Sequence, residues 1–162
     1  MIVVSDATPF SNLIQIDRLD LLHRLFGTVY MPRSVRRELE ALVDFNYPIT
    51  KLLDTSWIVV EDVNQSSLLV QLQERLDIGE ADAIAMAIAK QADRILIDEI
   101  AGRTVAKAKK LQVIGTLGVL LEARKRGLIF DVKMEMDNLR AIGFWISSSL
   151  YDQVVELEHR IS

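Results

Sequence analysis

The sequence predicts an α/β fold, a mostly parallel sheet with helices on both faces. Short β-branched runs alternate with helix-length amphipathic stretches, and Gly27, Gly79, Gly127 and Gly143 fall at the ends of these patterns. The composition agrees. With 162 residues, 50% of them hydrophobic and 26% charged, the chain has the length and apolar content of one domain with a sizeable core. A disordered or fibrous chain is excluded by the same figures. We therefore expect a single domain over residues 1–162.

The strands are expected at Ile2–Ser5, Thr28–Met31, Trp57–Val60, Arg94–Ile97 and Gln112–Ile114, each a short β-branched run. Helical periodicity covers Phe10–Phe26, broken near Asp17, then Arg33–Val43, Ser66–Leu76, Glu80–Gln91 and Ile100–Leu111. Three more helices are expected at Leu117–Arg126, Val132–Ile142 and Ser148–Arg160. The last carries Leu150, Val154, Leu157 and Ile161 as a stripe, to pack on its own domain or on a second subunit. Asp44–Ser56 is the least patterned stretch and reads as a mobile loop.

Cysteine is absent, which excludes disulfides and thiolate metal sites and fits a reducing cytoplasm. The N-terminus MIVVSDATP lacks the basic residues and the length of a signal peptide. The longest run without charge or strong polarity, Ala83–Ala89, is far short of the ~20 residues that span a bilayer. A cytoplasmic protein without a membrane segment is the expectation. The net charge of −4, from 19 Lys+Arg and 23 Asp+Glu, taken alone argues against a nucleic-acid partner.

Ligands of open parallel sheets bind beyond the carboxyl ends of the strands. The first strand ends in Ser5-Asp6 and the fourth in Ile97-Asp98-Glu99, so both bring a carboxylate to one sheet edge. Either aspartate alone has a simpler reading as a turn or helix cap. Glu38 lies on the stripe of Val35, Leu39 and Leu42, where a carboxylate is costly unless paired or bound to a cation; a place at the border of the stripe is the simpler alternative. The helix from Gly79 to Ala89 is apolar all round after its first turn, as a buried helix must be. Asp82 sits at its start, where the helix dipole favours an anion. Glu80 has a structural explanation, because Asp77 and Glu80 have the spacing of a capping box.

If Asp6, Glu38, Asp82 and Asp98 converge, each pair at ~5 Å repels by about 3 kcal/mol at an effective dielectric near 20. A cation relieves that cost, and an all-oxygen donor set points to Mg²⁺ or Mn²⁺. His23 and His159 lie on separate amphipathic helices without an acid at ligand spacing and read as structural.

These residues carry a resemblance. Asp6-Ala7-Thr8-Pro9, Glu38 after a Pro-led helix, Gly79-Glu80-Ala81-Asp82-Ala83-Ile84-Ala85 and Leu96-Ile97-Asp98 resemble a PIN-domain nuclease, most closely the VapC-like group of bacterial toxin–antitoxin pairs. The tract Gln112–Leu121 and the ending Gly143–Ser147 are similar to one prokaryotic PIN subgroup, so the resemblance covers nearly the whole chain. It implies a three-layer α/β/α fold with a central, mostly parallel sheet of four or five strands. It also implies an Mg²⁺- or Mn²⁺-dependent ribonuclease with Asp6, Glu38, Asp82 and Asp98 as the catalytic, metal-holding acids. Thr8 would support Asp6 by hydrogen bonding, and Arg103 would orient an acid or touch phosphate. The subgroup often has Asp-Asp where this chain has Asp98-Glu99, which leaves open whether Glu99 reaches a second metal. The partners implied are an RNA substrate, a small antitoxin and a second copy of the chain. Two alternatives stand beside the toxin: a stand-alone RNA-processing nuclease, and a catalytically silent module that binds RNA or protein.

Other α/β classes fit less well. A haloacid-dehalogenase-type phosphatase would need an Asp where Thr8 stands, and a response-regulator receiver would need a Lys near Ile114-Gly115-Thr116. No glycine-rich phosphate loop follows any strand. Ser11 and Ser147–Ser149 lack a paired His, so a serine triad is unsupported.

The objection from net charge weakens once the charges are located. Arg103, Lys107, Lys109, Lys110, Arg124, Lys125 and Arg126 share their segment with one acid, Glu122, so it carries +6 and the remainder −10. Two solvated helix faces are the plain reading. The functional one is a phosphate-steering rim, with Arg103, Lys107, Lys109 and Lys110 contacting RNA.

Overall fold

A computed structural model describes residues 1–41 and 48–161 of the chain. Five strands, β1 (Val3–Ser5), β2 (Val29–Pro32), β3 (Ile58–Glu61), β4 (Arg94–Leu96) and β5 (Val113–Ile114), form one sheet in the order β3-β2-β1-β4-β5. Every neighbouring pair is parallel. Side chains alternate across the sheet, as the two-residue strand period requires. Val3 and Leu96 enter one buried cluster, while Val4, Ile95 and Ile97 enter the other.

The first cluster holds α1 (Ala7–Gln15), α2 (Asp20–Phe26), α8 (Thr116–Lys125), α9 (Val132–Ala141) and α10 (Ser148–Ile161) against the sheet. The second holds α5 (Ser67–Gln73), α6 (Ile78–Ala89) and α7 (Ile100–Ala108). The result is the three-layer α/β/α architecture of a PIN-like fold, its sheet parallel throughout. Between β2 and β3 lie α3 (Arg33–Glu40), which touches both α1 and α6, and the short α4 (Ile49–Leu53).

Local chemistry sets the boundaries. The expected break at Asp17 is real, and its φ of 58° ends the first helix in the left-handed region. Ser66 caps α5 by accepting from the Leu69 amide at 3.1 Å, and Asp131 caps α9 by accepting from Met134 at 3.0 Å. Within the segment read as a loop, Ile49–Leu53 is helical, with Ile49 and Leu53 buried. Residues 44–47 of that segment, and Leu42 and Val43 at the end of the expected third helix, lie outside the described residues.

The C-terminal helices are fastened to one another and to the neighbouring helices of their layer by buried polar contacts as well as apolar ones. Glu135, 1% exposed, pairs with Arg18 at 2.6 Å. Glu158 accepts from the Val132 amide at 2.6 Å and lies 3.4 Å from Arg124. The packing face of α10 differs from the expected stripe. Val154 and Glu158 are buried, with Tyr151 and Val155 partly so, whereas Leu150 and Leu157 are exposed. A purely apolar reading rotates the helix away from Glu158, because it counts a carboxylate as outward-facing.

If α9 is part of the same cooperative unit as the sheet, Leu139→Ala should destabilise the whole chain. Leu139 is fully buried, and emptying such a site costs about 2–5 kcal/mol. Urea unfolding followed by circular dichroism should show one transition moved to lower denaturant. A separate early transition would mean that the C-terminal helices fold independently.

Candidate active site

The carboxyl ends of β1 and β4 point the same way, so the residues that follow them share one edge of the sheet. The Asp6 amide donates to the Leu96 carbonyl at 2.9 Å, continuing the ladder to the first residue beyond β1. That leaves the Asp6 side chain only 3% exposed. Its carboxyl is pushed up to about 7, mainly by burial, against the lowering effect of the Ala7 amide. The charges of Glu38, Asp77 and Glu99 push in the same direction as burial.

Glu38 reaches this point from α3. A Cβ placed on Gly79 would lie 2.9 Å from Glu38 Oε2 and 3.3 Å from Asp6 Oδ1, so the two carboxylates close on the bare backbone of Gly79. Only glycine leaves that space. Glu38 is exposed by area, yet the loss of water around its carboxyl, then the charges of Asp77 and Glu99, raise its pKa.

Glu80 supplies the group that the sequence reading set aside. The capping contact is present: Asp77 accepts from the Glu80 amide at 2.8 Å. The side chain does more. It is 6% exposed, its Oε2 has no hydrogen-bond partner among the described residues, and that atom lies against Gly102. Burial first, then a carboxyl–carboxyl hydrogen bond to Asp77 and the charges of Asp77, Asp6 and Glu99, push Glu80 up to about 8. The start of a helix favours an anion by ~1 kcal/mol or less when exposed. Here burial and crowding outweigh it.

Asp82 and Asp98 are engaged differently. Along α6, Gly79–Ala81 and Ala83–Ala87 are buried, but Asp82 shares the outer face with exposed Ile78 and is half-buried. Its carboxylate accepts from the Ser34 hydroxyl at 2.6 Å. Asp98 accepts from the Thr116 amide at 2.8 Å, the Thr116 hydroxyl at 2.6 Å and the Asn12 amide group at 3.2 Å. Of the four expected acids, the structure thus gathers Asp6 and Glu38 at Gly79, with Glu99 and the unexpected Asp77 acting on both electrostatically and Asp6 in turn acting on the unexpected Glu80. Thr8 is half-buried and makes no side-chain hydrogen bond to Asp6 among the described residues. Asp77 and Glu80 were hidden by their own spacing, which the capping contact fully explains.

Arg103 donates from Nη1 to the Ile97 carbonyl at 3.0 Å. Lys107, Lys109 and Lys110 are exposed at the other end of α7. Since α7 begins beside the acids and rises ~1.5 Å per residue, Lys109 and Lys110 stand more than about 10 Å from them. Arg124, Lys125 and Arg126 likewise lie at the far end of α8. His23 contacts the Gly27 carbonyl at 3.0 Å and stacks on Trp57, the structural role expected of it.

The donor set fits a hard divalent cation. It is all oxygen, contains a buried carboxylate oxygen without a partner, and is made of acids that raise one another's pKa. Among the described residues no three such side chains are gathered at ligating distance. The carboxylates are neighbours that a cation would have to draw together.

Asp6 and Glu80 retain protons in the folded chain at pH values where the unfolded chain, near 3.8 and 4.5, has lost them. Their contribution to stability is therefore complete below about pH 4 and is lost as pH rises toward 7 and 8. In EDTA, the thermal midpoint should fall between pH 5 and pH 8.5, and Glu80→Gln should reduce the fall. A midpoint that rises over that range, or an equal fall in the variant, would contradict this electrostatic picture.

A wide groove of about 720 Å³ opens beside the acids, with Glu38, Asp77 and Gly79 in its wall together with Arg37 and Ile78. Comparison with known proteins bears on the family of the chain. The family model DUF3368, described as a PIN domain, matches residues 2–159. No curated protein and no solved structure matches the chain. PIN domains are generally nucleases, and with nearly its full length covered by that model, the chain belongs to the PIN-domain family.

Proposed function

We propose that the chain is a divalent-metal-dependent ribonuclease that hydrolyses phosphodiester bonds at the carboxyl edge of its sheet. The observation that carries this reading is the crowding of Asp6, Glu38 and Glu80, with Asp6 and Glu80 buried and burial pushing their carboxyls up to about 7 and about 8. A resident Mg²⁺ or Mn²⁺ would lower the pKa of a bound water and offset charge on the phosphate. Asp6, Glu38 and Glu80 would hold it, with Asp98 as a further ligand. Asp82, Glu99 and Arg103 remain candidates from the family resemblance, Asp82 as the acceptor of the Ser34 hydroxyl. Asp6 and Glu80 would release their protons on taking up the cation, so affinity should rise with pH. No protein nucleophile is needed.

The motif resemblance further supports a VapC-like toxin of a type II pair, with a small antitoxin and a homodimeric state. Exposed Phe130 and Trp145, and Leu150 and Leu157 on α10, offer apolar surface for a protein partner. Among the described residues no helix is long and apolar enough to cross a membrane. A cytoplasmic setting is proposed from the lack of cysteine.

Purified protein with Mn²⁺ should cleave single-stranded RNA, and Asp6→Asn or Glu80→Gln should reduce kcat by about 100-fold or more, as removal of a group that stabilises transition-state charge does. Retained folding, checked by circular dichroism, would assign the loss to chemistry. Absence of Mn²⁺-stimulated cleavage by the wild type, with RNA or protein binding intact, would favour the silent-module alternative.

Lys109→Glu with Lys110→Glu tests the distant basic end of α7. RNA binding should weaken, its salt dependence should flatten, and kcat on bound RNA should stay within about twofold. Unchanged affinity at low salt would limit the substrate to the groove and the acids.

A further inference from the structure

Asp98 differs from the other acids of the edge in being surrounded by donors. Its Oδ1 accepts from the Thr116 amide at 2.8 Å, and its Oδ2 accepts from both the Thr116 hydroxyl at 2.6 Å and Asn12 Nδ2 at 3.2 Å. Asn12 Nδ2 also lies 3.3 Å from Thr116 Oγ1, closing a triangle of side chains from α1, the end of β4 and the start of α8. Thr116 is fully buried and Asn12 is 7% exposed, so no solvent competes effectively for these bonds. Gly115 completes the enclosure, because a Cβ there would lie 2.8 Å from Asp98 Oδ1 and 2.7 Å from Arg103 Nη1.

A carboxylate offers about four lone-pair sites, two on each oxygen. Three are used by Thr116 and Asn12. One remains, on Oδ1. We infer that Asn12 and Thr116 are positioning residues that fix Asp98 in one orientation and leave it a single Oδ1 lone pair, so that it engages a cation through one bond and never as a chelating pair. This rests on the metal-dependent nuclease reading. It assigns to Asn12 and Thr116 the outer-shell role that typically alters metal affinity or activity by about 10–100-fold.

The network also makes a division within the site. Asp6 and Glu80 are short of donors and can be drawn toward a cation. Asp98 is already held on two oxygens by groups from two helices, so it is the fixed reference toward which the others move.

The test compares Thr116→Val, Thr116→Ser, Asn12→Ala and Asp98→Asn with wild type. Measured for each are Mn²⁺ affinity by calorimetry, kcat and KM for RNA cleavage, and the thermal midpoint. Thr116→Val and Asn12→Ala should weaken Mn²⁺ binding and lower kcat by about 10–100-fold with KM within about twofold, and Thr116→Ser should restore most of both. Should Thr116→Val fail to fold, Asn12→Ala and Thr116→Ser carry the comparison, with Asn12→Ala expected low and Thr116→Ser near wild type. Normal Mn²⁺ affinity and kcat in Asn12→Ala or Thr116→Val, alongside an inactive Asp98→Asn, would overturn the inference while leaving the nuclease reading in place. Thr116→Ser folding normally but as impaired as Thr116→Val would also overturn it, since the hydroxyl would then not be the operative group. A wild type that neither binds Mn²⁺ nor cleaves RNA would remove the nuclease reading and this inference together.

Discussion

The constraint on which the site depends is the cost of holding several carboxylates at one edge of a parallel sheet, away from water. Parallel pairing of β1 with β4 forces their carboxyl ends together, and the residue that follows β1 is Asp6, almost wholly buried. The hydrogen bond from Ala7 to its carboxyl is insufficient to keep it an ordinary acid. The neighbouring acids add to the strain: Glu38 and Asp6 meet over Gly79, and Glu80 lies buried with an oxygen that has no hydrogen-bond partner among the described residues. Unpaired buried charge is expensive enough that groups prefer to protonate. A site in this condition takes up protons, and on the proposed function a cation would compete with them.

The rest of the fold keeps that competition in place. Two apolar clusters grip the sheet from both faces, and the helices that carry the acids belong to different layers of it. Helix α6 is nearly all buried, which fixes Glu80 in position by packing that has nothing to do with charge. Helix α3 touches both α1 and α6, which holds the backbone of Glu38 beside the edge. On the other side of the edge, α1 and α8 converge on Asp98 through Asn12 and Thr116. Apolar burial thus supplies the free energy that holds the mutually repelling groups close.

Much of this was legible in the sequence, and the omissions have specific causes. All five strands were readable because short β-branched runs separated by helical periodicity leave few alternatives, and the break at Asp17 was visible as an interruption of that period. Asp6 is legible as an acid closing a parallel strand, and Glu38 as an acid on an apolar stripe, where a carboxylate is costly. Glu80 was passed over because Asp77 and Glu80 satisfy a capping pattern, and a pattern that accounts for the backbone contact gives no sign of where the carboxylate goes. Asp82 stands out in the sequence because it has no capping explanation at the start of an apolar helix; in the structure it shares an outward face with Ile78. Asn12 and Thr116 could not be found from spacing at all. They are 86 and 18 residues from Asp98, and only the closed topology brings them to it. Similarly, buried Glu158 turned α10 away from its apolar stripe through a bond to the Val132 amide that periodicity does not encode.

The placement of charge follows from the same topology. Helices α7 and α8 both begin at the acidic edge and end at the opposite one, so the basic residues at their C-terminal ends are carried away from the acids by a helix length. Cations near a helix C-terminus also complement its dipole, which gives Lys107 and Lys125 a local reason to be there. Had those cations stood beside Asp6 and Glu80, they would have paired with them and lowered their pKa values, and a diffusible cation would have found the carboxylates already neutralised. Separation leaves the edge acids without those basic residues as partners and keeps a positive surface at the far helix ends. The modest net charge of −4 conceals both regions, and it is their distance apart, set by the lengths of α7 and α8, that allows both to exist without cancelling each other.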